Sequence, residues 1–250
     1  MMQRLSAVII AKDEADRIEG AIASVRFADE VLVVESGSAD DTAARARAAG
    51  ARVVQADWPG FVAQKERATR LAAHEWVLSL DADERVPPRL AVEIGAVMAN
   101  PRGCVGFSVP RLSWWEGAPV RRGTWWPDRR LRLFDRRFGR WGGEDPHDHV
   151  ICDGPTAQLH APLYHHPYRD LAEHLRTIDH YTALSAEGLR RRGGAWGGWL
   201  RPWAHLFKAL VLKRGLLDGQ RGLSLALLGA AAVSLKWQRA AAPPDDPAGP

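Results

Sequence analysis

Two aspartates one residue apart, Asp81 and Asp83, follow the apolar run Trp76–Leu80 without a break. A short apolar run that ends in charge reads as a buried strand emptying into a polar loop, the place where open α/β sheets hold ligands. Carboxylates at that spacing can face one divalent cation, and a hard cation with oxygen ligands accompanies phosphate-bearing substrates. The plainer alternative is a helix cap beside a solvated acid. Three further sets of acids follow comparable positions: Asp13 and Glu14 after Leu5–Ala11, Glu35 after Val31–Val34, and Glu144, Asp145 and Asp148 in the loop Gly142–His149. That loop also supplies His147, and with His149, His160, His165 and His166 the chain has enough imidazoles for a zinc site of the kind a metal-dependent hydrolase uses. The histidines have no helical His-Glu-x-x-His frame, which ranks a hydrolase below a reading that uses the upstream acids.

The elements that must position these groups follow from periodicity. Leu5–Ala11 is a first strand, and Ile18, Ala21, Ile22 and Val25 follow at helical spacing. Glu30–Glu35 is a second strand, and Ser36–Thr42 is a turn able to cap a helix Ala43–Ala49 that Gly50 stops. A short strand Arg52–Gln55, a helix Phe61–Ala73 and the strand Trp76–Leu80 complete four strands alternating with helices, the pattern of a parallel right-handed Rossmann-like half. In such a sheet the acids at the strand ends converge on one edge, where carboxylates that would repel each other need a cation or donor groups between them. A nucleotide with a metal-bound diphosphate supplies both. No Gly-x-Gly-x-x-Gly and no P-loop is present, which argues against a dehydrogenase and a P-loop kinase.

The residues that carry this pattern resemble a family. Ala-Lys-Asp-Glu-Ala-Asp-Arg-Ile at 11–18, Val-Glu-Ser-Gly-Ser-Ala-Asp-Asp-Thr at 34–42, Gln64-Lys65 and Leu-Ser-Leu-Asp-Ala-Asp-Glu at 78–84 are similar to GT-A-fold glycosyltransferases of family 2. Trp126-Pro127-Asp128, Arg132-Leu133-Phe134, His147-Asp148-His149-Val150 and Gly215-Leu216-Leu217-Asp218-Gly219 resemble later landmarks of the lipopolysaccharide-core β-1,4-glucosyltransferase-like subgroup. The likeness spans about residues 5–240. It implies an α/β chain with a GT-A Rossmann-like mixed sheet, flanking helices and a helical C-terminal appendage. The implied activity is inverting transfer of a sugar from a nucleotide-diphosphate sugar, UDP-hexose above all, to a saccharide acceptor of the lipopolysaccharide inner core, with Mg²⁺ or Mn²⁺. A non-catalytic nucleotide-sugar binder is the further alternative.

Residue by residue, the resemblance implies that Asp83 holds the metal and that Asp81 addresses the ribose or a metal-bound water. Glu35 would meet the nucleobase, with Ser36 beside it, although the family more often has Asp there. Asp13 stands where the family usually has Asn, ahead of Glu14. Gln64 and Lys65 would lie at the sugar-phosphate side, with Glu66 in place of a frequent Asn, and Arg132 would contact phosphate through a forked guanidinium. The general base is Asp148 or Glu144, with a narrow preference for Asp148, and His147 would orient it or bind the diphosphate.

The rest of the chain sets the surroundings. Helix Pro88–Asn100 packs its Leu90, Ile94 and Val97 stripe on the sheet, and Cys104–Pro110 and Arg129–Phe134 alternate as mixed or antiparallel strands, with Trp114-Trp115 and Trp125-Trp126 in loops around them. Eight arginines lie between 121 and 140 within a chain of formal charge +4, a local patch suited to phosphates or a lipid surface, with no nucleic acid among the expected partners. Two isolated cysteines, Cys104 and Cys152, fit a reducing compartment, and the N-terminal apolar run is too short for a secretory signal, so a cytoplasmic protein is expected. The expected division is a catalytic domain 1–168, a helical region 169–240 and a disordered proline-rich tail 241–250. Within the helical region, a segment Leu171–Leu189 precedes a break at Arg190–Gly194. Tryptophans and leucines interleaved with Lys and Arg then suit a peripheral contact with the inner face of the membrane, near a lipid-linked acceptor. The apolar run Gly222–Leu235, at 14 residues, is short of the ~20 that span a bilayer.

Overall fold

The computed structural model describes residues 3–145, 147–191 and 198–242. Strands β1 (Leu5–Ala11), β2 (Glu30–Glu35), β3 (Arg52–Gln55) and β4 (Trp76–Asp81) alternate with helices α1 (Ile18–Ser24), α2 (Thr42–Ala48) and α3 (Phe61–Leu71). All four strands are parallel, in the order β3-β2-β1-β4. Every residue of β1 is buried, because a central parallel strand is covered on both faces. Leu5, Ala7, Ile9 and Ala11 face a core shared with Ile18 and Ile22 of α1, whereas Val8 and Ile10 face one shared with Ala68 of α3. Gly50 has φ +92°, the left-handed conformation that ends α2, and the Asp40 side chain takes the Thr42 N–H at its start.

Beyond β4 the chain makes β5 (Glu84–Arg85), α4 (Pro88–Ala99), β6 (Gly106–Trp115), β7 (Ala118–Pro119), β8 (Asp128–Asp135), β9 (Gly139–Gly142), β10 (His149–Cys152), β11 (Thr156–Gln158) and β12 (Leu163–His165). β8 runs antiparallel to β4, pairing Leu133 with Leu78, and β6 runs antiparallel to β8. β12 pairs antiparallel with β5, placing His165 opposite Glu84. The mixed α/β sheet with flanking helices and C-terminal helices is therefore present. β9 and β10 form a separate two-stranded ribbon.

The chain divides into two compact units, one made of residues 1–112 and 128–165 and the other of 113–127 and 166–250. Trp114 and Trp115 are the last residues of β6 rather than loop residues, pairing antiparallel with Pro119 and Ala118 of β7. In the second unit Trp115, Val120 and Leu225 form a small core with Trp125 and Tyr168 against it. Its helices are α5 (Leu171–Arg191), α6 (Arg201–Phe207) and α7 (Gly219–Ala241). The Gly215–Gly219 landmark is a corner of this unit: Asp218 accepts the N–H groups of Arg121 and Arg122, both at 2.8 Å, and Gly222 lies against the Gly215 carbonyl so closely that a Cβ would sit 1.9 Å from it. Residues 192–194 of the expected break, Trp196 beyond it, and residues 243–250 of the tail lie outside the described residues.

Candidate functional site

β4 delivers Asp81 to the C-terminal edge of the parallel strands, and the chain turns at once into Ala82-Asp83-Glu84. α3 and β8 bring two cations to Asp81. Lys65 Nζ is 2.9 Å from Oδ1, and Arg132 Nη2 is 2.6 Å from Oδ2. Burial alone would raise the Asp81 carboxyl; Arg132 and Lys65 outweigh it and hold it well below the usual carboxylate range. Both Asp81 oxygens are thus engaged by side-chain cations, Lys65 on one and Arg132 on the other. Lys65, itself 3% exposed, also reaches Asp148 Oδ2 at 2.7 Å and lies 4.9 Å over the Trp141 ring. Arg132 also binds Glu84 Oε1 at 2.6 Å, Glu84 Oε2 accepts the Asp81 N–H at 3.0 Å, and Arg111 approaches Glu84 at 3.5 Å while gripping Asp128 at 2.6 Å. The acids outweigh burial and raise the Arg132 and Arg111 guanidiniums above their ordinary value.

This chain of alternating charge borders an open cleft of about 230 Å³, lined by Lys65, Arg111, Arg129, Arg130, Arg132 and Asp148 among others. Two buried polar atoms in this neighbourhood have no hydrogen-bond partner among the described residues: Arg132 Nε, a donor on a residue that lines the cleft, and Asp83 Oδ1, an acceptor two residues after Asp81. Buried polar groups are mostly paired, so the Arg132 Nε donor lining the cleft and the Asp83 Oδ1 acceptor are candidates for contact with a ligand. The other Asp83 oxygen lies 3.4 Å from His165 Nε2. Burial pushes the Asp83 carboxyl up, and the His165 imidazole more than offsets it, leaving the group below its ordinary value. A buried, unpartnered carboxylate oxygen beside an imidazole fits a divalent cation, because such ions take one or two protein ligands and draw the rest from water and substrate phosphates.

The loop that carries the candidate bases is fixed by α3. Asp145 accepts the N–H groups of Phe61 and Val62, both at 3.0 Å, and so caps α3. Gly60, at φ +108°, makes room for it, since a Cβ there would lie 2.0 Å from Asp145 Oδ2. Glu66 Oε2 accepts the Trp141 N–H and Thr69 Oγ1 the Trp141 indole N–H, both at 3.1 Å. Asp148 reaches the cleft, whereas Glu144 and His147 are exposed. Asp145, half of the acidic pair noted in the sequence, is therefore occupied as a helix cap.

Glu35 and the acids after β1 share the edge but not the face. Ala11 pairs with Glu35 while Ile10 pairs with Asp81, so alternation sends Glu35 to the side of the sheet opposite Asp81. Glu35 is 1% exposed, accepts the Ser38 N–H, and receives Gln55 Nε2 at 3.3 Å. Burial raises its carboxyl and the Ser38 hydrogen bonds bring it below its ordinary value. Asp13, at φ +55°, takes the Ala39 N–H at 2.8 Å, and the Glu14 N–H donates to Thr42 Oγ1 at 2.8 Å. Gln64 Nε2 donates to Ser36 Oγ at 2.7 Å. These residues lace the turns after β1 and β2 together and tie them to α3. The acids of residues 35, 81 and 83 thus do not gather around one ion.

The rival zinc reading has no ligand set to rest on. Among the described residues no three His, Cys, Asp or Glu side chains come together as a metal would need. The His160 N–H is bound by Glu93, His166 stacks on Trp114 at 5.6 Å, and His149 Nδ1 lies 3.4 Å from the His147 carbonyl. Sequence reasoning assigned no role to Glu84 or Arg111 and named His165 only for that rival.

The family model described as Glycosyl transferase family 2 matches residues 6–180. An uncharacterized glycosyltransferase of Rickettsia felis is 31% identical over 211 residues, covering 77% of this chain and 72% of that protein. The lipopolysaccharide core biosynthesis glycosyltransferase LpsC of Rhizobium meliloti is 28% identical over 190 residues, covering 73% of this chain and 70% of that one. Among solved structures, glucosyl-3-phosphoglycerate synthase of Mycobacterium tuberculosis, in complex with Mn²⁺, UDP and glucosyl-3-phosphoglycerate, is 29% identical over 46% of this chain and 45% of its own, with a TM-score of 0.38. The chain spans less than half the length of that synthase.

Proposed function

Because the chain belongs to glycosyltransferase family 2, we propose that it is an inverting hexosyltransferase that moves a sugar from UDP-hexose to a saccharide of the lipopolysaccharide inner core, with Mg²⁺ or Mn²⁺. The observation that carries this reading is a cationic cleft lined by Arg132, whose buried Nε lacks a partner, together with the buried and unpartnered Asp83 Oδ1 two residues after Asp81. A diphosphate answers the first and a cation the second. Asp83 and His165 would hold the cation, which when bound would supply positive charge against the diphosphate. Arg132, Arg130 and Lys65 line the phosphate path, and a guanidinium meets phosphate oxygens in a fork. Glu84, fully buried, positions the site by fixing Arg132 and the Asp81 backbone together. Glu35, Asp13, Glu14, Ser36 and Gln64 shape the turns on which the nucleoside rests.

Asp148 takes the proton. Lys65 holds its Oδ2, leaving Oδ1 for the acceptor hydroxyl. As the acceptor oxygen bonds to the anomeric carbon, the bond from that carbon to the diphosphate breaks and the hydroxyl proton passes to Asp148, a role that contributes ~10²- to 10⁴-fold. Glu144 is the runner-up and His147 its neighbour in the loop. Incubating the purified protein with a panel of nucleotide sugars, Mn²⁺ or Mg²⁺ and truncated lipopolysaccharide cores tests the proposal by mass spectrometry. One core should gain the mass of a single hexose. Binding of a nucleotide sugar without transfer to any core would leave the non-catalytic alternative standing.

A further inference from the structure

The second unit exposes apolar side chains that a water-soluble helical module normally hides. Trp199 (73% exposed), Trp203 (68%), Phe207 and Val211 recur every four residues through the turn Gly198–Leu200, α6 and the π-helical turn Lys208–Leu212. That spacing keeps them on one stripe. Leu212, Leu216 and Leu217, all more than half exposed, extend it. Contiguous exposed apolar surface of this kind marks a place of contact.

The charges beside the stripe choose the partner. Lys208, Lys213 and Arg214 are exposed within the same stretch and Arg221 just beyond it, and the acid that follows it, Asp218, is tied to the backbone of Arg121 and Arg122. A second copy of this chain would bring the same cations against themselves, because a two-fold interface presents one patch to itself. An anionic bilayer instead satisfies both features: acyl chains take the Trp, Phe and Leu side chains, headgroups take the cations, and tryptophan favours that boundary. No helix among the described residues is long and apolar enough to cross a membrane, so the contact lies in the interface plane.

We propose that the segment from Trp199 to Leu217 is a docking surface for an anionic lipid bilayer. It deepens the reading of a lipid-linked acceptor, but lipid binding requires neither donor nor acceptor, so its failure would leave the transferase reading untouched.

The test is flotation of the full chain with vesicles of phosphatidylcholine alone and of phosphatidylcholine mixed with phosphatidylglycerol, without nucleotide sugar. The protein should float with the anionic vesicles and be released by salt. W203E/F207E should stay at the bottom with its circular dichroism and melting temperature unchanged, since both side chains are exposed. K208E and K213E should each weaken flotation about five-fold. Absence of flotation with anionic vesicles overturns the proposal. So does a concentration-dependent dimer in sedimentation velocity that F207E abolishes while flotation persists, because the surface would then belong to a second copy.

Discussion

Lys65 ties the two halves of the site's chemistry: its ammonium touches Asp81 and Asp148 and lies over Trp141. Removing it would strand two partly buried carboxylates, and breaking such a pair costs about 3–5 kcal/mol. K65M should therefore lose both activity and stability, the latter read as a lower urea midpoint with an unchanged slope. Asp148 separates the two effects. D148N keeps a polar group of the same size and should lower kcat by about 10²- to 10⁴-fold with little change in donor KM. E144Q, at an exposed position, should stay within a few-fold of wild type in transfer assays. Equal losses in the two variants would return the base to the Glu144 alternative.

At the scale of elements, α3 and the loop 143–148 are one device. Asp145 caps α3 from 84 residues away in sequence to Phe61, and that cap holds Asp148 beside Lys65. D145A should cost about 1 kcal/mol, as a lost cap does, and should lower kcat as well because the loop loosens. G60A should be worse, since it forces a side chain into a left-handed position already filled by the Asp145 carboxylate. Melting curves for the two variants check the order. In the second unit α5 carries His174 into a cage where it stacks on Tyr168 at 4.1 Å and meets Trp115 edge-on at 4.9 Å. Burial lowers its pKa from 6.5 to about 4. The unfolded chain therefore binds a proton that the folded chain refuses between those values. Its contribution to stability is full above pH 6.5 and is lost as pH falls toward 4. The melting temperature should fall over that window, and H174F should fall less.

Over the whole molecule, local periodicity sufficed for the four parallel strands and their helices, because each is a run of apolar residues bounded by turn chemistry. Asp81 and Asp83 stood out as candidates because they follow such a run directly, whereas Lys65, inside α3, stood out only through the family resemblance. What was not legible depends on register and on return strands. Glu35 and Asp81 each close a strand beside β1, yet one rung of register puts them on opposite faces, and no window of sequence contains that rung. Glu84 gains its role from Arg132 and Arg111, which arrive 48 and 27 residues later on β8 and β6. His165 meets Asp83 only because β12 pairs with β5. The extension of β6 to Trp115 rests on its pairing with β7, which no window ending at Pro110 contains.

Isothermal titration of UDP-glucose into wild-type protein and D83N, each with and without Mn²⁺, tests most directly whether an orphaned carboxylate and a cationic cleft together hold a nucleotide-diphosphate sugar. Wild type should bind only when Mn²⁺ is present, and D83N should lose at least ten-fold in affinity, roughly what a weakened metal site costs. Binding of equal strength in all four titrations would contradict the account.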